Sequence, residues 1–476
     1  MTTLVNTIKQ NTFTKTENGR TAHRVAGNPL FEMVSKFCAM RNSPEQNIVR
    51  MFEDAFEYDP IAALKILFWA RDVRGGQGER RVFYVVMQQL MRTDSKVLFA
   101  ALAHLIPEYG SWRDVRELIK FAVDNDYLLY AQFLQILQGT AVADGNMLAA
   151  KWSLDNNDKR QYRAFLANVF EDKAGYLRDV INLRSGTVER AMSENRWEDI
   201  DFDKLPSKAG LQYRKAFKRH VAERYEQFLN DVKNGNKTIN AKTLMPFDVY
   251  KAVSKGGGAT CDAMWNALPN FVEEGHNVLC MADVSGSMSG DPMAVSVSLA
   301  LYTAERLTGP FKDHFMTFSS HPELVEVRGA NIAEKMHNIS RANWDMSTNI
   351  DSAFNLVLNT AKKHKIKQVD MPNIVLIISD MQFDATARNK PHLESLESRY
   401  LHEGYEMPHI VYWNVRASIG QPAQNGEHVT LVSGFSPQVL KQVFNVVNGK
   451  STDIVDTIVM NERYDAIERA VMTAIS

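Results

Sequence analysis

The chain has 476 residues, of which 45% are hydrophobic and 23% are charged, and its formal net charge is −1. This length and composition predict at least two domains with sizeable cores, and the near-zero charge excludes a general attraction to nucleic acid. The three cysteines, Cys38, Cys261 and Cys280, lie far apart in the sequence. Their spacing argues against both a disulfide framework and a zinc site.

The N-terminal residues lack the basic start and apolar stretch of a signal peptide, and no apolar run approaches the ~20 residues that span a bilayer. We therefore expect a cytoplasmic chain without membrane contact. The oligomeric state is open, with a monomer favoured. Residues 1–27 are polar and rich in Thr and Asn, and we interpret them as an N-terminal arm that is either flexible or a strap.

Residues 28–255 show apolar side chains at helical spacing in many short segments. Residues 44–52 begin one such segment, and residues 60–69 begin another with Pro60 in its first turn. Short helices with wide apolar faces and brief connections are typical of stacked helical pairs. The pattern predicts a HEAT-like helical-repeat domain that could close into a ring.

A segment rich in Gly and Arg, residues 71–81, separates two of the predicted helices and contains four arginines. A Gly-rich loop before a helix can hold phosphate. Arg71 and Arg74 are the candidate RNA contacts in this segment. Neither the P-loop order nor GxGxxG is present, so ATP binding is not predicted. The alternative interpretation is a turn between helices that is built on an Arg–Asp network.

Residues 106–114 carry two aromatic side chains, Tyr109 and Trp112, beside Gly110. Both rings could stack on nucleotide bases. Aromatic residues at such positions are more often anchors in the core between repeats, and we favour that interpretation for each.

Cations interleaved with Tyr and Phe fill residues 207–220. If this segment is helical, Arg214 and Lys218 share one face, as do Lys215 and Arg219. Such cations would contact phosphates without reading sequence. The alternative is a solvated helix face balanced by the acids of residues 198–203. The candidate phosphate contacts are Lys208, Arg214, Lys215, Lys218 and Arg219, with Lys151 in a second basic stretch.

Residues 256–271 begin with a Gly-rich run and are predicted to connect two domains. From residue 272 to 476, short apolar runs alternate with helical patterns. This alternation predicts a doubly wound, mostly parallel sheet.

Three loops in this second domain offer oxygen donors where strands or helices meet. One follows the apolar run 277–282, one is the polar loop 343–349, and one follows the run 374–378. Oxygen donors suit hard cations, so we predict a Mg²⁺ site that could also accept Mn²⁺ or Ca²⁺. A chance helix-capping turn is the alternative. The predicted metal ligands are Asp283, Ser285, Ser287, Thr348 and Asp380, and Asp384 is either an assisting ligand or a solvated acid.

This arrangement resembles the metal-ion-dependent adhesion site of a von Willebrand factor A domain, with the likeness covering residues 272–476. The third loop departs from the pattern, because many such domains have Gly after the Asp and this chain has Met381. The resemblance implies a Rossmann-like fold and a bound metal with an open coordination position.

The runs RDVRGGQGERRVF and LIPEYGSWRDV resemble the TROVE module of Ro autoantigen-like proteins, or a bacterial or phage sister family of the same design. Those proteins combine a helical ring with a von Willebrand A domain, in the order seen here. The resemblance implies binding of small non-coding or misfolded RNA, with single-stranded ends entering the ring.

The function expected from these observations is an RNA-binding scaffold or chaperone with a divalent-metal site. The alternative is a metal-dependent protein–protein interaction module without RNA binding. A metal-dependent nuclease is a third possibility, but the sequence has no His or Glu beside the three loops, so we do not expect an enzyme.

Overall fold

The computed structural model describes residues 13–15, 21–23, 27–93, 95–317, 321–340, 350–383, 392–417, 421–424 and 428–475. The chain divides into two compact units that interleave along the sequence. The sheet unit comprises residues 1–44, 53–59 and 244–460. The helical unit comprises residues 45–52, 60–243 and 461–476. A mostly helical first half and a mostly parallel sheet in the second half agree with the predicted α plus α/β layout.

The strands are β1 (Phe13–Lys15), β2 (Thr21–His23), β3 (Val278–Ala282), β4 (His314–Thr317), β5 (Leu324–Glu326), β6 (Ile374–Ser379), β7 (His409–Asn414) and β8 (Val429–Ser433). The first two form an antiparallel pair, and the other six form one sheet in the order β5-β4-β3-β6-β7-β8. Among the six described strands of this sheet, only β5 runs antiparallel to its neighbour. Every residue of β3, β6 and β8 is buried, which explains their continuous apolar runs.

The helices are α1 (Pro29–Lys36), α2 (Glu45–Tyr58), α3 (Pro60–Arg71), α4 (Arg81–Arg92), α5 (Lys96–Ala103), α6 (Ile106–Tyr109), α7 (Trp112–Asp124), α8 (Leu128–Ala143), α9 (Met147–Trp152), α10 (Arg160–Val169), α11 (Lys173–Arg184), α12 (Val188–Ser193), α13 (Ser207–His220), α14 (Ala222–Lys233), α15 (Pro246–Val253), α16 (Gly258–Asn266), α17 (Asp291–Arg306), α18 (Ile332–Ile339), α19 (Ile350–His364), α20 (His392–His402), α21 (Val439–Val447), α22 (Ile454–Val459) and α23 (Asp465–Ile475). Within the described part of the chain, none is long and apolar enough to cross a membrane.

The start of the chain belongs to the sheet unit. The hydroxyl of Ser433, at the end of β8, donates to the Val34 carbonyl at 2.8 Å and accepts from the Cys38 amide at 3.2 Å. In addition, His23 and Gln421 exchange two backbone hydrogen bonds of 2.8 and 2.7 Å. These bonds attach α1 to β8, and they attach β2 to Gln421 of the same unit, as a strap would.

The domain boundaries differ from the linear division that the sequence suggested, because residues 28–44, 53–59 and 244–255, predicted to be part of the helical domain, belong to the sheet unit. Two helices also depart from the prediction. Helix α16 lies within the predicted connection 256–271, because Cys261, Met264 and Trp265 recur at helical spacing and are buried. Helix α23 belongs to the helical unit, where Lys65 of α3 lies 2.8 Å from Glu468. An apolar face shows that a helix packs somewhere, but it does not identify its neighbour.

The Arg-rich loop between α3 and α4 is held by buried ion pairs, as the alternative interpretation of its sequence proposed. The Arg71 guanidinium donates to Asp114 from Nη2 at 2.5 Å and from Nε at 3.1 Å, and both residues are fully buried. Asp114 also accepts bonds from Arg80 at 3.1 Å and from the Tyr84 hydroxyl at 2.6 Å. Burial alone would raise the pKa of Asp114, but attraction to Arg71 and Arg80 outweighs it and leaves this pKa below the usual value.

The same loop holds residues from the end of the chain. The buried carboxylate of Asp72 accepts from Arg463 at 2.9 Å and from the Tyr464 hydroxyl at 3.1 Å. Tyr109 is 2% exposed, and its hydroxyl donates to the Arg463 carbonyl at 2.6 Å. The prediction that Tyr109 is a core anchor is therefore confirmed. Gly76 is required here, because a Cβ at this position would lie 1.9 Å from the Trp69 carbonyl oxygen.

Replacing Asp114 with Asn should lower the free energy of unfolding of the helical unit by about 3–5 kcal/mol, because it leaves the buried Arg71 charge uncompensated. Urea denaturation followed by hydrogen exchange of helical-unit peptides measures this loss. Asp179→Asn is the matched control, since Asp179 is exposed on α11, and it should change stability by less than about 0.5 kcal/mol. Equal effects of the two substitutions would contradict the assigned role of Asp114.

Candidate metal centre

The candidate metal centre lies where the strand order of the sheet reverses. The sheet's first strand, β3, and its fourth, β6, are neighbours, and the chain continues outward from them in opposite directions. In doubly wound sheets the loops at such a point diverge and leave a crevice at the carboxyl edge. Asp283 follows β3, and Asp380 follows β6. The Asp283 amide donates to the Ile378 carbonyl at 2.9 Å, which keeps the two loops side by side.

Hydrogen bonds fix the first loop around the Asp283 carboxylate. Its Oδ1 accepts from the Ser285 amide at 2.9 Å, and its Oδ2 accepts from the Ser379 hydroxyl at 2.5 Å. The hydroxyl oxygens of Ser285 and Ser287 lie 3.1 Å apart, since residues 286–288 form a short 3₁₀ turn. On the second loop, Asp380 Oδ1 accepts from the Gln382 amide at 3.2 Å. Two carboxylates and two hydroxyls are thus placed on adjoining loops.

The electrostatics of this edge are unfavourable without a cation. Asp283 and Asp380 are 0% and 1% exposed. Burial, and then repulsion by Asp380, raise the pKa of Asp283 to about 6, although hydrogen bonds from Ser379 and Ser285 act in the opposite direction. Burying two like charges together is costly unless an opposite charge accompanies them. A divalent cation supplies that charge, and the oxygen donors match its preference.

The structure brings together four of the five predicted metal ligands, namely Asp283, Ser285, Ser287 and Asp380. Thr348 and Asp384 lie outside the described residues. Across the described ranges, no three His, Cys, Asp or Glu side chains form a group that could hold a metal ion. The predicted ligand set is not such a group, because it contains two carboxylates and its other donors are hydroxyl oxygens.

A third strand end also reaches this edge, which the sequence interpretation did not include. The Asn414 side chain, at the end of β7, is 2% exposed, and its Oδ1 accepts from the Arg416 amide at 3.0 Å. Its Nδ2 is buried and has no hydrogen-bond partner among the described residues. The Arg416 guanidinium donates to the Ser287 carbonyl. Asp380 is predicted from sequence because it is a polar residue at the end of an apolar run. The same criterion, applied to the apolar run 410–413, would have identified Asn414.

Three of the candidate RNA contacts are buried or paired with an acidic side chain. Arg71 is enclosed with Asp114, as described above. Arg214 is 8% exposed, and its Nη1 donates to the Leu211 carbonyl at 2.7 Å. The Lys151 ammonium lies 2.7 Å from Glu189. We therefore do not retain Arg71 and Arg214 as phosphate contacts, because a buried guanidinium cannot reach an external phosphate.

The remaining candidates are exposed. Arg74 lies on the loop after α3, where its Nη1 donates to the Glu108 carbonyl at 2.5 Å. Lys208, Lys215, Lys218 and Arg219 lie along α13. Lys215 and Arg219 follow Lys208 by seven and eleven residues, about two and three turns, which places the three side chains on one face of the helix. We call Lys208, Lys215 and Arg219 the α13 stripe.

The sequence of the chain matches the models of two protein families. A family model described as Domain of unknown function (DUF2828) matches residues 16–175 and 148–279, more than half of the chain. The chain belongs to this family. A second model, Domain of unknown function (DUF7788), matches residues 277–473. The boundary between the DUF2828 and DUF7788 matches falls at the start of β3, so the loops that carry Asp283 and Asp380 lie within the DUF7788 match.

One viral protein resembles this DUF2828 chain over most of its length. It is described as Uncharacterized protein L728 of Acanthamoeba polyphaga mimivirus and is 28% identical over 490 residues. The matched region covers 90% of this chain and 84% of the viral protein. The similarity therefore extends over both units.

In EDTA at pH 7.5, Asp283→Asn should stabilise the metal-free chain by roughly 3 kcal/mol, because the pKa of this carboxyl is raised to about 6 and each unit of raised carboxyl pKa corresponds to about 1.4 kcal/mol. The gain should shrink as the pH falls from 7.5 to 5, where protonation removes the Asp283 charge. Chemical denaturation at several pH values measures both effects. Asp370→Asn, at an exposed position of the sheet unit, is the control and should change nothing. Destabilisation by Asp283→Asn at every pH would contradict the electrostatic argument.

Proposed function

We propose that the sheet unit binds a divalent cation, with Mg²⁺ the first candidate, and uses it to hold an acidic group of a partner protein. The observation that carries the proposal is the pair of buried carboxylates, Asp283 and Asp380, at the strand reversal. Ser285 and Ser287 would be neutral ligands, and Thr348 remains a predicted fifth ligand.

The fold is consistent with this proposal. A doubly wound sheet with its ligand loops at the carboxyl edge is what the resemblance to a von Willebrand factor A domain implies. One carboxylate from each of two loops, with hydroxyls beside them, leaves coordination positions for water or for an external carboxylate. An acidic ligand would complete the shell of a hard cation.

Binding is favoured over catalysis by the residue types beside the loops. Hydrolysis at a metal requires a base near the activated water. The sequence contains no His or Glu within residues 277–292, 341–349 or 373–383. We therefore propose a binding module, and its lack of enzymatic activity remains a prediction.

If the sheet unit binds a metal ion, the ion should increase the free energy of unfolding, and this increase should require both Asp283 and Asp380. At a Mg²⁺ or Mn²⁺ concentration near 100 times the dissociation constant, the gain should be about 2.7 kcal/mol, because only the folded chain binds. Thermal unfolding across a metal titration measures it. Asp283→Asn and Asp380→Asn should abolish the gain, whereas Asp370→Asn should keep it. A gain that survives both loop substitutions would overturn the proposed centre.

RNA binding by the helical unit is the second candidate function. The observation that favours it is the α13 stripe, whose three cations are exposed on one face. Phosphate contacts of this kind bind without reading sequence. The resemblance to the TROVE module supports the same ligand, a small RNA with a single-stranded end.

For this second candidate, we expect a hairpin RNA with a single-stranded 3′ tail to bind more weakly as salt increases, because binding releases counterions. Changing Lys208, Lys215 and Arg219 to Glu should weaken binding and lower the salt slope by about one for each lost phosphate contact. Fluorescence anisotropy at several salt concentrations measures both quantities.

The matched control reverses three exposed cations of the sheet unit, Lys363, Lys365 and Lys367. This control should retain the wild-type affinity and salt slope. If both triple variants lose affinity equally, the α13 stripe is not the binding site. If the wild-type chain does not bind the hairpin at low salt, the RNA function is wrong and the metal-dependent protein interaction stands alone.

A further inference from the structure

A groove of about 750 Å³ opens between α5, α8 and α23, all within the helical unit. The ring of Phe99 packs edge-to-face on Tyr130 with centroids 4.9 Å apart, and both residues line the groove. Three further lining residues, Ala100, Ala466 and Ala470, have short side chains that leave the space between the helices open. The groove is therefore an apolar channel on a helical surface.

Helix α8 contributes Leu129 and Phe133 to this apolar surface and extends it to Ile136 outside the groove. Leu129, Phe133 and Ile136 occupy positions i, i+4 and i+7 and are 58%, 39% and 56% exposed. Other residues of the same helix, among them Leu134 and Val142, are buried. A helix that is apolar on two faces is normally covered on both. An exposed apolar surface of this kind typically marks a site of interaction.

The charged side chains that line the groove are positive. Lys96 at the start of α5 and Arg469 on α23 are both exposed, and no Asp or Glu is among the described lining residues. Charge complementarity therefore favours an acidic occupant. It disfavours a second copy of this chain, because a two-fold contact through the groove would bring its positive edges close together.

We propose that this groove is the docking site for an acidic amphipathic helix of a partner protein. Grooves between helices bind such segments through apolar anchors at spacings i, i+3 or i+4, and i+7. Phe133 and Leu129 would contact these anchors, and Arg469 would pair with a carboxylate beside them. The groove and the exposed apolar residues of α8 beside it are open to solvent. Such a surface suits a helix better than an acyl chain, which binds in enclosed pockets. The site is independent of the metal centre.

The experiment is a selection from a displayed library of random 20-residue peptides against the immobilised full-length protein. Counterselection on a Phe133→Ser variant removes peptides that bind elsewhere. We expect the recovered peptides to be net acidic and to carry apolar residues at helical spacing. The best peptide should bind Arg469→Glu about tenfold more weakly at low salt, as loss of a favourable charge pair predicts. Anisotropy with the labelled peptide measures these affinities.

Two matched controls lie on α11 of the same unit: Ile181→Ser removes another exposed apolar side chain, and Arg178→Glu reverses another exposed cation. Both should bind the peptide as the wild type does, and circular dichroism should show that all four variants are folded. Recovery of no Phe133-dependent peptide, or of basic peptides only, would overturn the proposal. A dimer that Phe133→Ser converts to a monomer would also overturn it, in favour of a second copy.

Discussion

Two carboxylates buried side by side are the constraint on which the functional account of the sheet unit depends. Register between β3 and β6 places Asp283 and Asp380 on adjoining loops, and the Asp283 amide bond to Ile378 holds those loops together. The chain cannot separate these charges without breaking the centre of its sheet. A buried pair of this kind requires compensation, and a divalent cation with oxygen ligands is the simplest compensation that the chemistry allows. The unfavourable arrangement of the metal-free chain is thus the same feature that would make a cation bind.

In the helical unit, the charge of a buried carboxylate is compensated by side chains of the same unit. Asp114 is also a buried carboxylate, but Arg71 and Arg80 neutralise it, so its pKa is lowered where that of Asp283 is raised. The contrast separates a structural ion network from a candidate binding site. The Arg-rich loop, whose composition suggests phosphate binding, therefore supports the helices and the last residues of the chain. The exposed cations among the candidate RNA contacts lie elsewhere, chiefly on α13.

Much of the sheet unit is predictable from sequence, because buried parallel strands appear as continuous apolar runs that end in polar residues. The runs before Asp283 and Asp380 identify β3, β6 and the candidate ligands without any structure. Three features were not predictable. The burial of Arg71 and Arg214 depends on partners distant in sequence. The membership of α23 in the helical unit depends on which apolar faces meet. The exposed apolar residues of α8, Leu129, Phe133 and Ile136, recur at the same spacing as residues of a buried helix face. Their exposure therefore could not be inferred from the sequence.

The most direct measurement of the central claim is anomalous diffraction from crystals of the chain soaked with Mn²⁺, which prefers the same oxygen ligands as Mg²⁺. The account predicts one strong anomalous peak roughly 2 Å from carboxylate oxygens of Asp283 and Asp380, or one water away from either. The same soak of Asp283→Asn crystals should show no peak there. A wild-type map with no peak between the two carboxylates, at a Mn²⁺ concentration that labels other surface acids, would contradict the account.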